Sequence, residues 1–273
     1  MVHRPIRALL IDLSGTLHVG NEATPYAAES IVKLREAKII LRWVSNTSKE
    51  GKRSLLDRLH AMNLDVREEE LFTSLSAVSQ LVKSKGLNPF YILSDSSRQD
   101  FPESNLSKEY DAVVVGLAPT RLDYRHLNKA FRILNKDAQR PLIVAHKANY
   151  YQSSDGELSL GPGIFVTGLE DACKRVAITV GKPSEEFFRQ ALKSLEKDGI
   201  TESEWSSVAM VGDDKTQDVG QIVVNLKLSR FLVMTGKYRY GDENEVPPSE
   251  YSPFHLQESF SQVVSHVVLA SKS

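Results

Sequence analysis

Ile6-Arg7-Ala8-Leu9-Leu10-Ile11-Asp12-Leu13-Ser14-Gly15-Thr16-Leu17 runs from an apolar stretch into an acid, a hydroxyl and a glycine. A short apolar run without helical period, closed by turn residues, reads as a buried strand. Strands buried on both faces belong to parallel sheets covered by helices. The same rhythm recurs along the chain. Ile39 to Val44, Phe90 to Leu93, Ala112 to Leu117, Leu142 to Ala145, Ala177 to Val180, Ser207 to Val211 and Arg230 to Met234 read as further strands. Between them lie helical patterns. Thr24-Pro25 offers an N-cap and a first-turn proline for a helix ending near Lys38. Leu55, Leu56, Leu59 and Met62 share a face, as do Leu127, Ala130, Phe131 and Leu134, and an amphipathic helix is expected over 259–270. The expected fold is α/β, a doubly wound parallel-sheet core. There are more strands than one small sheet needs, so a second, inserted domain is expected.

Composition narrows the function. The 273 residues suit one large domain or two smaller ones, with ordinary apolar (41%) and charged (25%) shares. Lys+Arg number 34 and Asp+Glu 35, a net charge of −1 that lacks the basic excess of a general nucleic-acid binder. Cys173 is the single cysteine, so no internal disulfide and no cysteine-based zinc site can form, which fits a reducing compartment. The apolar runs fall far short of the roughly 18 residues of a membrane span. Asp12 interrupts the first run and no small-residue cleavage site follows, so no signal peptide is read. The expected setting is the cytoplasm.

Sites in parallel α/β folds lie beyond the carboxyl ends of the strands. Four such ends carry chemistry. They are Asp12 to Leu17, Ser45-Asn46-Thr47-Ser48, Gly181-Lys182-Pro183, and Gly212-Asp213-Asp214-Lys215-Thr216-Gln217-Asp218. Together they hold what phosphoryl transfer needs. Asp12 can act as a carboxylate nucleophile. Asp12 and Asp213 supply hard oxygen ligands for Mg²⁺. Ser45 and Lys182 supply a hydroxyl donor and a positive charge for the phosphoryl oxygens, and the Gly15-Thr16 turn adds backbone donors. Taken singly, each is an ordinary cap, turn or helix start; their common position at strand ends gives them weight. Gly161-Pro162-Gly163 lacks the third glycine of a dinucleotide fingerprint, and no Gly-Lys-Ser/Thr phosphate loop occurs. A receiver-type phospho-acceptor would carry its acidic pair on the first strand, whereas here the pair comes last.

In these four motifs, in their order, the sequence resembles the haloacid dehalogenase-like hydrolase superfamily. The gap between Ser45 and Lys182 is where one class inserts an α/β cap, and Val114-Val115-Gly116-Leu117 and Gly161-Pro162-Gly163 look like that class's cap signatures. The resemblance implies a core of residues 1–78 and 181–273 with a cap at 79–180. It implies a phosphatase working through an aspartyl-phosphate on Asp12, with Lys182 assisting. Mg²⁺ would be held by Asp12, the Ser14 backbone carbonyl and Asp213. Phosphate contacts would come from Asp12, Leu13, Ser14, Ser45, Asn46 and Lys182, and Asp218 would orient Lys182 or a metal-bound water. The expected partner is a small phosphorylated compound or phosphoamino acid, not nucleic acid or membrane, together with a homodimer through the cap. The cap stretch His146 to Tyr151 is expected to set substrate choice.

Two features depart from the superfamily pattern. Ser14 stands where most of its phosphatases carry an acid that protonates the leaving oxygen and then activates the water that hydrolyses the aspartyl-phosphate. Serine has no useful pKa for either task, and general acid–base help is worth about 10²–10⁴-fold. Amines from phosphoramidates and the stabilised anion from pyrophosphate leave with less help, and the branch resembled most implies such substrates. The alternative is a weak or inactive protein with a binding role. The second departure is Val219 to Arg230, β-branched and without the usual turn glycine, which puts the helix behind Asp218 in doubt.

Overall fold

The computed structural model describes residues 5–152 and 157–270. In chain order it holds β1 (Ala8–Asp12), β2 (His18–Val19), β3 (Glu22–Ala23), α1 (Ala27–Glu36), β4 (Ile40–Ser45), α2 (Lys52–Ala61), β5 (Leu71–Thr73) and α3 (Ser74–Ser84). Then come β6 (Pro89–Ile92), α4 (Asp95–Arg98), β7 (Ala112–Val115), α5 (Tyr124–Asn135), β8 (Leu142–Val144), β9 (Tyr150–Gln152), β10 (Leu158–Leu160) and α6 (Gly163–Cys173). The chain closes with β11 (Ile178–Thr179), α7 (Glu185–Lys193), β12 (Val208–Gly212), α8 (Gln221–Asn225), β13 (Ser229–Val233), β14 (Phe254–Gln257) and α9 (Phe260–Ala270). It divides into two compact units, Met1–Ser45 with Leu56–Phe72 and Lys182–Ser273, and Asn46–Leu55 with Thr73–Gly181. The segment 79–180 expected as an insertion falls inside the second unit.

The first unit is built on a six-stranded sheet in the order β14-β13-β12-β1-β4-β5. β1 pairs in parallel with β12 on one side and β4 on the other, and all five of its residues are buried. That explains why its sequence does not alternate: neither face reaches water. The registers Ile11 with Val211 and Asp12 with Val44 bring the carboxyl ends of three strands to one level. Phe260, Val263, Val264 and Val267 give α9 one buried stripe at helical spacing. The second unit has its own parallel sheet, β11-β8-β7-β6. Its core joins Ile92, Val113, Val115 and Val144 of the strands to Ala130 and Leu134 of α5 and Val166 of α6. β9 and β10 form a separate antiparallel pair.

Some expectations need correction. α1 begins at Ala27, not at Thr24-Pro25. The Thr24 hydroxyl does not cap the helix; it donates to the carbonyls of Thr16 and Leu17, both at 3.0 Å, and ties the β2–β3 hairpin to the loop after β1. Tyr26 takes the cap position in a left-handed conformation. The sequence reading also passed over α3 and β14. α3 is rich in serine, a middling helix former, and is started by Thr73, whose side chain accepts from the Ser76 amide. β14 alternates little and lies at a sheet edge.

The unusual stretch after Asp218 forms a short helix, α8, closed by Lys227 at φ +59°. The Lys227 amide donates to Val224 O and the Leu228 amide to Val223 O, the paired bonds of a left-handed helix stop. Lysine therefore occupies a conformation that glycine adopts at lower cost. Arg230 then fixes the segment. Its guanidinium is buried with no carboxylate and donates to the carbonyls of Val219, Pro247 and Ser252. Burial alone pulls its pKa below the usual arginine value.

Left-handed geometry costs a non-glycine residue about 1–2 kcal/mol, partly offset by glycine's greater freedom when unfolded. Lys227→Gly should therefore stabilise the fold by about 1 kcal/mol, seen as a higher urea midpoint at unchanged slope. A lower midpoint would show that the lysine side chain contributes more than its backbone costs.

Candidate active site

Asp12 ends β1 and is 6% exposed. The Lys182 ammonium, 4% exposed as a residue, donates to Asp12 Oδ1 and to Asp218 Oδ1, the second at 2.6 Å. Asp218 Oδ2 accepts the Asp214 amide at 3.1 Å. Both Asp218 oxygens are thus committed to holding other parts of the site. Asp214 is likewise engaged. Its Oδ1 accepts the amides of Thr216 and Gln217 at 3.0 and 2.9 Å, and its Oδ2 accepts Lys237 Nζ at 3.2 Å. Asp213 differs, since only Oδ2 is bonded, to the Lys237 amide at 2.7 Å. Among the described residues, Asp213 Oδ1 and Asp12 Oδ2 take no hydrogen bond.

Two glycines make this packing possible. Gly15 (φ +92°) and Gly236 (φ +60°) lie against the Asp213 carboxylate; a Cβ on either would fall 1.8 and 2.1 Å from its Oδ2. Thr235 Oγ1 donates to Gly15 O and locks the two loops together. Ser14 stands out as exposed between buried Leu13 and Gly15, and its carbonyl takes no hydrogen bond among the described residues. Ser45, at the end of β4, is buried one residue beyond the partner of Asp12 in the ladder.

The structure therefore brings Asp12, Leu13, Ser14, Ser45, Lys182, Asp213 and Asp218 to one end of one sheet. Asn46 is the first residue of the second unit. There, His146 Nε2 lies 2.7 Å from Ser48 Oγ, and Lys147 is held by Glu170 at 2.6 Å. The sequence reading missed Thr235, Gly236 and Lys237 as site residues. The available signal was a Thr-Gly-Lys turn directly after a strand of the same parallel sheet.

Electrostatics set the character of the site. Burial, and then the charges of Asp12 and Asp218, push the Asp213 carboxyl up to about 8. Burial also raises Asp218, to about 6, against the pull of Lys182. For Lys182, burial opposes the charge, but Asp12 and Asp218 outweigh it and hold the ammonium above its usual pKa. Ligand oxygens of Asp12, Asp213 and Asp218 lie within 4.8 Å of one another. With all four carboxyls (Asp12, Asp213, Asp214, Asp218) ionised, the two ammoniums (Lys182, Lys237) would leave an excess of two negative charges, the state that the raised Asp213 carboxyl resists. A divalent cation with hard oxygen preference fits that excess and the two unbonded oxygens.

Comparison with known proteins agrees with this layout. Residues 9–107 match the family model for haloacid dehalogenase-like hydrolase, and residues 179–263 match a HAD-hydrolase-like model. The chain is 43% identical over 265 residues to haloacid dehalogenase-like hydrolase domain-containing protein 2 of Bos taurus, covering 97% of both. It is 31% identical over 267 residues to the human phospholysine phosphohistidine inorganic pyrophosphate phosphatase, covering 96% of this chain and 95% of that protein. The fold superposes on glycerol phosphate phosphatase from Mycobacterium tuberculosis in complex with magnesium, with TM-score 0.79, 21% identity, and 94% and 77% of the two chains covered. The chain belongs to the haloacid dehalogenase-like hydrolase family.

The raised Asp213 carboxyl has a consequence for stability. From about pH 4 to 8 the unfolded chain has released a proton that the folded site still holds, so stability falls as pH rises through that window. Asp213→Asn removes this conflict. At pH 7.5 in EDTA the variant should melt at least about 2 °C above the parent. Excess Mg²⁺ should raise the parent's melting temperature and leave the variant's unchanged. A variant less stable in EDTA would mean that Asp213 is stabilising as a charge.

Proposed function

We propose that this protein is a Mg²⁺-dependent phosphatase that works through an aspartyl-phosphate on Asp12. The observation that carries this reading is the Asp12–Lys182–Asp218 chain of hydrogen bonds beside Asp213, with one oxygen each on Asp12 and Asp213 left unbonded. The names of the human and mycobacterial relatives support it. Asp12, the Ser14 carbonyl and Asp213 would hold the metal. When bound, the metal would supply positive charge to offset the phosphoryl oxygens.

The chain's own residues account for the remaining steps. Lys182 donates to the Asp12 carboxylate and orients it, and that carboxylate attacks phosphorus while the bond to the leaving group breaks. Lys182, itself fixed by Asp218, carries positive charge for the phosphoryl oxygens, and Ser45 and the loop amides from Leu13 add donors. Water then attacks the aspartyl-phosphate, which releases inorganic phosphate and restores the Asp12 carboxylate. Ser14 brings no acid to the leaving group, so the leaving group must depart as a neutral amine or a stabilised anion. Phosphoramidates (phosphoamino acids among them) and pyrophosphate are the substrates we infer. The expected homodimer through the second unit and the cytoplasmic setting belong to the same proposal. Among the described residues, no helix is long and apolar enough to cross a membrane.

A second reading, a catalytically weak member with a binding role, is favoured by Ser14 alone. Two experiments separate the two. Asp12→Asn should abolish turnover of phosphohistidine and pyrophosphate while the protein stays folded by circular dichroism; turnover at the parent rate would remove Asp12 from the mechanism. Ser14→Asp should raise turnover of an alkyl phosphate monoester by at least about tenfold, the low end of general acid help. Its effect on a phosphoramidate should be much smaller, and Ser14→Asn should give no gain. A folded, Mg²⁺-binding Ser14→Asp protein that hydrolyses neither class faster would favour the binding role.

A further inference from the structure

The second unit carries a basic, aromatic groove that the phosphatase reading does not use. Arg125, Lys129 and Arg132 lie at i, i+4 and i+7 on the exposed face of α5. Among the described residues none of the three makes a salt bridge. One turn further on, the pattern is different. Lys136 and Arg140 are both paired with Glu109, at 2.8 and 3.0 Å. Cations just past the end of the helix thus share a carboxylate, whereas those on its exposed face have none among the described residues.

Flat rings line the same place. Phe90 of β6 stacks against His126, with centroids 6.4 Å apart and 14° between planes. Lys129 Nζ lies 4.5 Å from the centre of Phe90 and 5.0 Å from that of Tyr110. Tyr124 is 82% exposed, a free aromatic face beside the cations. Asp123 Oδ1 accepts from the His126 amide and faces Nδ1, both at 2.8 Å, which fixes the ring. Phe90, Tyr124, Arg125, His126, Lys129 and Arg132 line a groove of about 470 Å³ that is open to solvent on one side.

We propose that this groove is a binding site for a small aromatic phosphate of the nucleoside monophosphate class. The guanidiniums of Arg125 and Arg132 suit a phosphate, which they grip through paired N–H donors. The rings of Tyr124 and His126 suit a nucleobase, which stacks without needing a particular edge pattern. The net charge of −1 for the whole chain and the shortness of the basic row favour a small molecule over a nucleic-acid strand.

The test uses the full chain in EDTA, so that hydrolysis does not intervene. Adenosine 5′-monophosphate is titrated while backbone amide resonances are followed. Resonances of 124–132 should shift and saturate with a Kd below about 1 mM. Adenosine alone and inorganic phosphate alone should each bind there at least about tenfold more weakly, because each lacks one half of the recognition. Arg125→Glu with Arg132→Glu should weaken binding by at least the same factor while Mg²⁺-dependent turnover stays at the parent level. The milder Arg125→Gln with Arg132→Gln should weaken it in the same direction. Shifts confined to the surroundings of Asp12 and Lys182, phosphate binding as tight as the nucleotide, or a single-stranded oligonucleotide binding more tightly than the mononucleotide would each overturn the proposal.

Discussion

The Lys182 ammonium, buried between Asp12 and Asp218, is the contact on which the rest of the site depends. Three distant stretches of chain meet there, and two of the three groups cannot be stable charges in that place without the third. Removing one partner of a buried ion pair costs about 3–5 kcal/mol, because a charge is left without compensation. Parallel pairing is what makes the meeting possible. β1 and β12 run side by side and end at the same level, so the loops that follow them carry their polar residues to a common edge. A sheet with the same strands but antiparallel neighbours would send Asp12 and Asp213 to opposite ends.

Around that contact the site sorts its carboxylates by what already holds them. Asp218 and Asp214 spend every oxygen on lysines and loop amides, and so act as framework. Asp12 and Asp213 each keep one oxygen in reserve. Burial, and then the neighbouring charges of Asp12 and Asp218, drive the Asp213 carboxyl up. Gly15 and Gly236 allow the loops after β1 and β13 to close on Asp213 from two sides, and no side chain could stand at either place without displacing it. The crowding of carboxylates that would suit a divalent cation is unfavourable without one, because like charges are held close together in a buried place.

The parts of this arrangement written in contiguous residues were legible in the sequence. The apolar run to Asp12, the Gly-Asp-Asp turn and the Lys-Pro step each announce a strand end locally. Thr24-Pro25 misled because its hydroxyl finds better acceptors in Thr16 and Leu17, eight and seven residues back, than in the amides of the coming helix. Lys237 was silent for a related reason. Its backbone amide, rather than its side chain, holds Asp213, and any residue type offers an amide. The stretch from Val219 to Arg230 looked broken because its turn lacks glycine. The structure accepts a left-handed Lys227 there and recovers order through Arg230, whose bonds all go to backbone carbonyls and therefore leave no mark in side-chain pattern.

If the proposed mechanism holds, position 14 separates what a backbone contributes to the site from what a side chain contributes. The Ser14 side chain is exposed, so exchanging it disturbs no core packing and no hydrogen bond among the described residues. What the metal would take from this position is the backbone carbonyl, which every residue type supplies. The acid, by contrast, exists only in the side chain. On the proposed mechanism, binding of metal and phosphate would be insulated from the choice at position 14, while protonation of the leaving group would depend on it. Serine then costs least with amine or pyrophosphate leaving groups, although the attack of water on the aspartyl-phosphate also goes without a base from this position. The negative charge that serine dispenses with would also have stood beside a cluster that already carries two more carboxylates than ammoniums. On the proposed mechanism serine at this position would restrict the chemistry and, at the same time, spare the cluster a further negative charge.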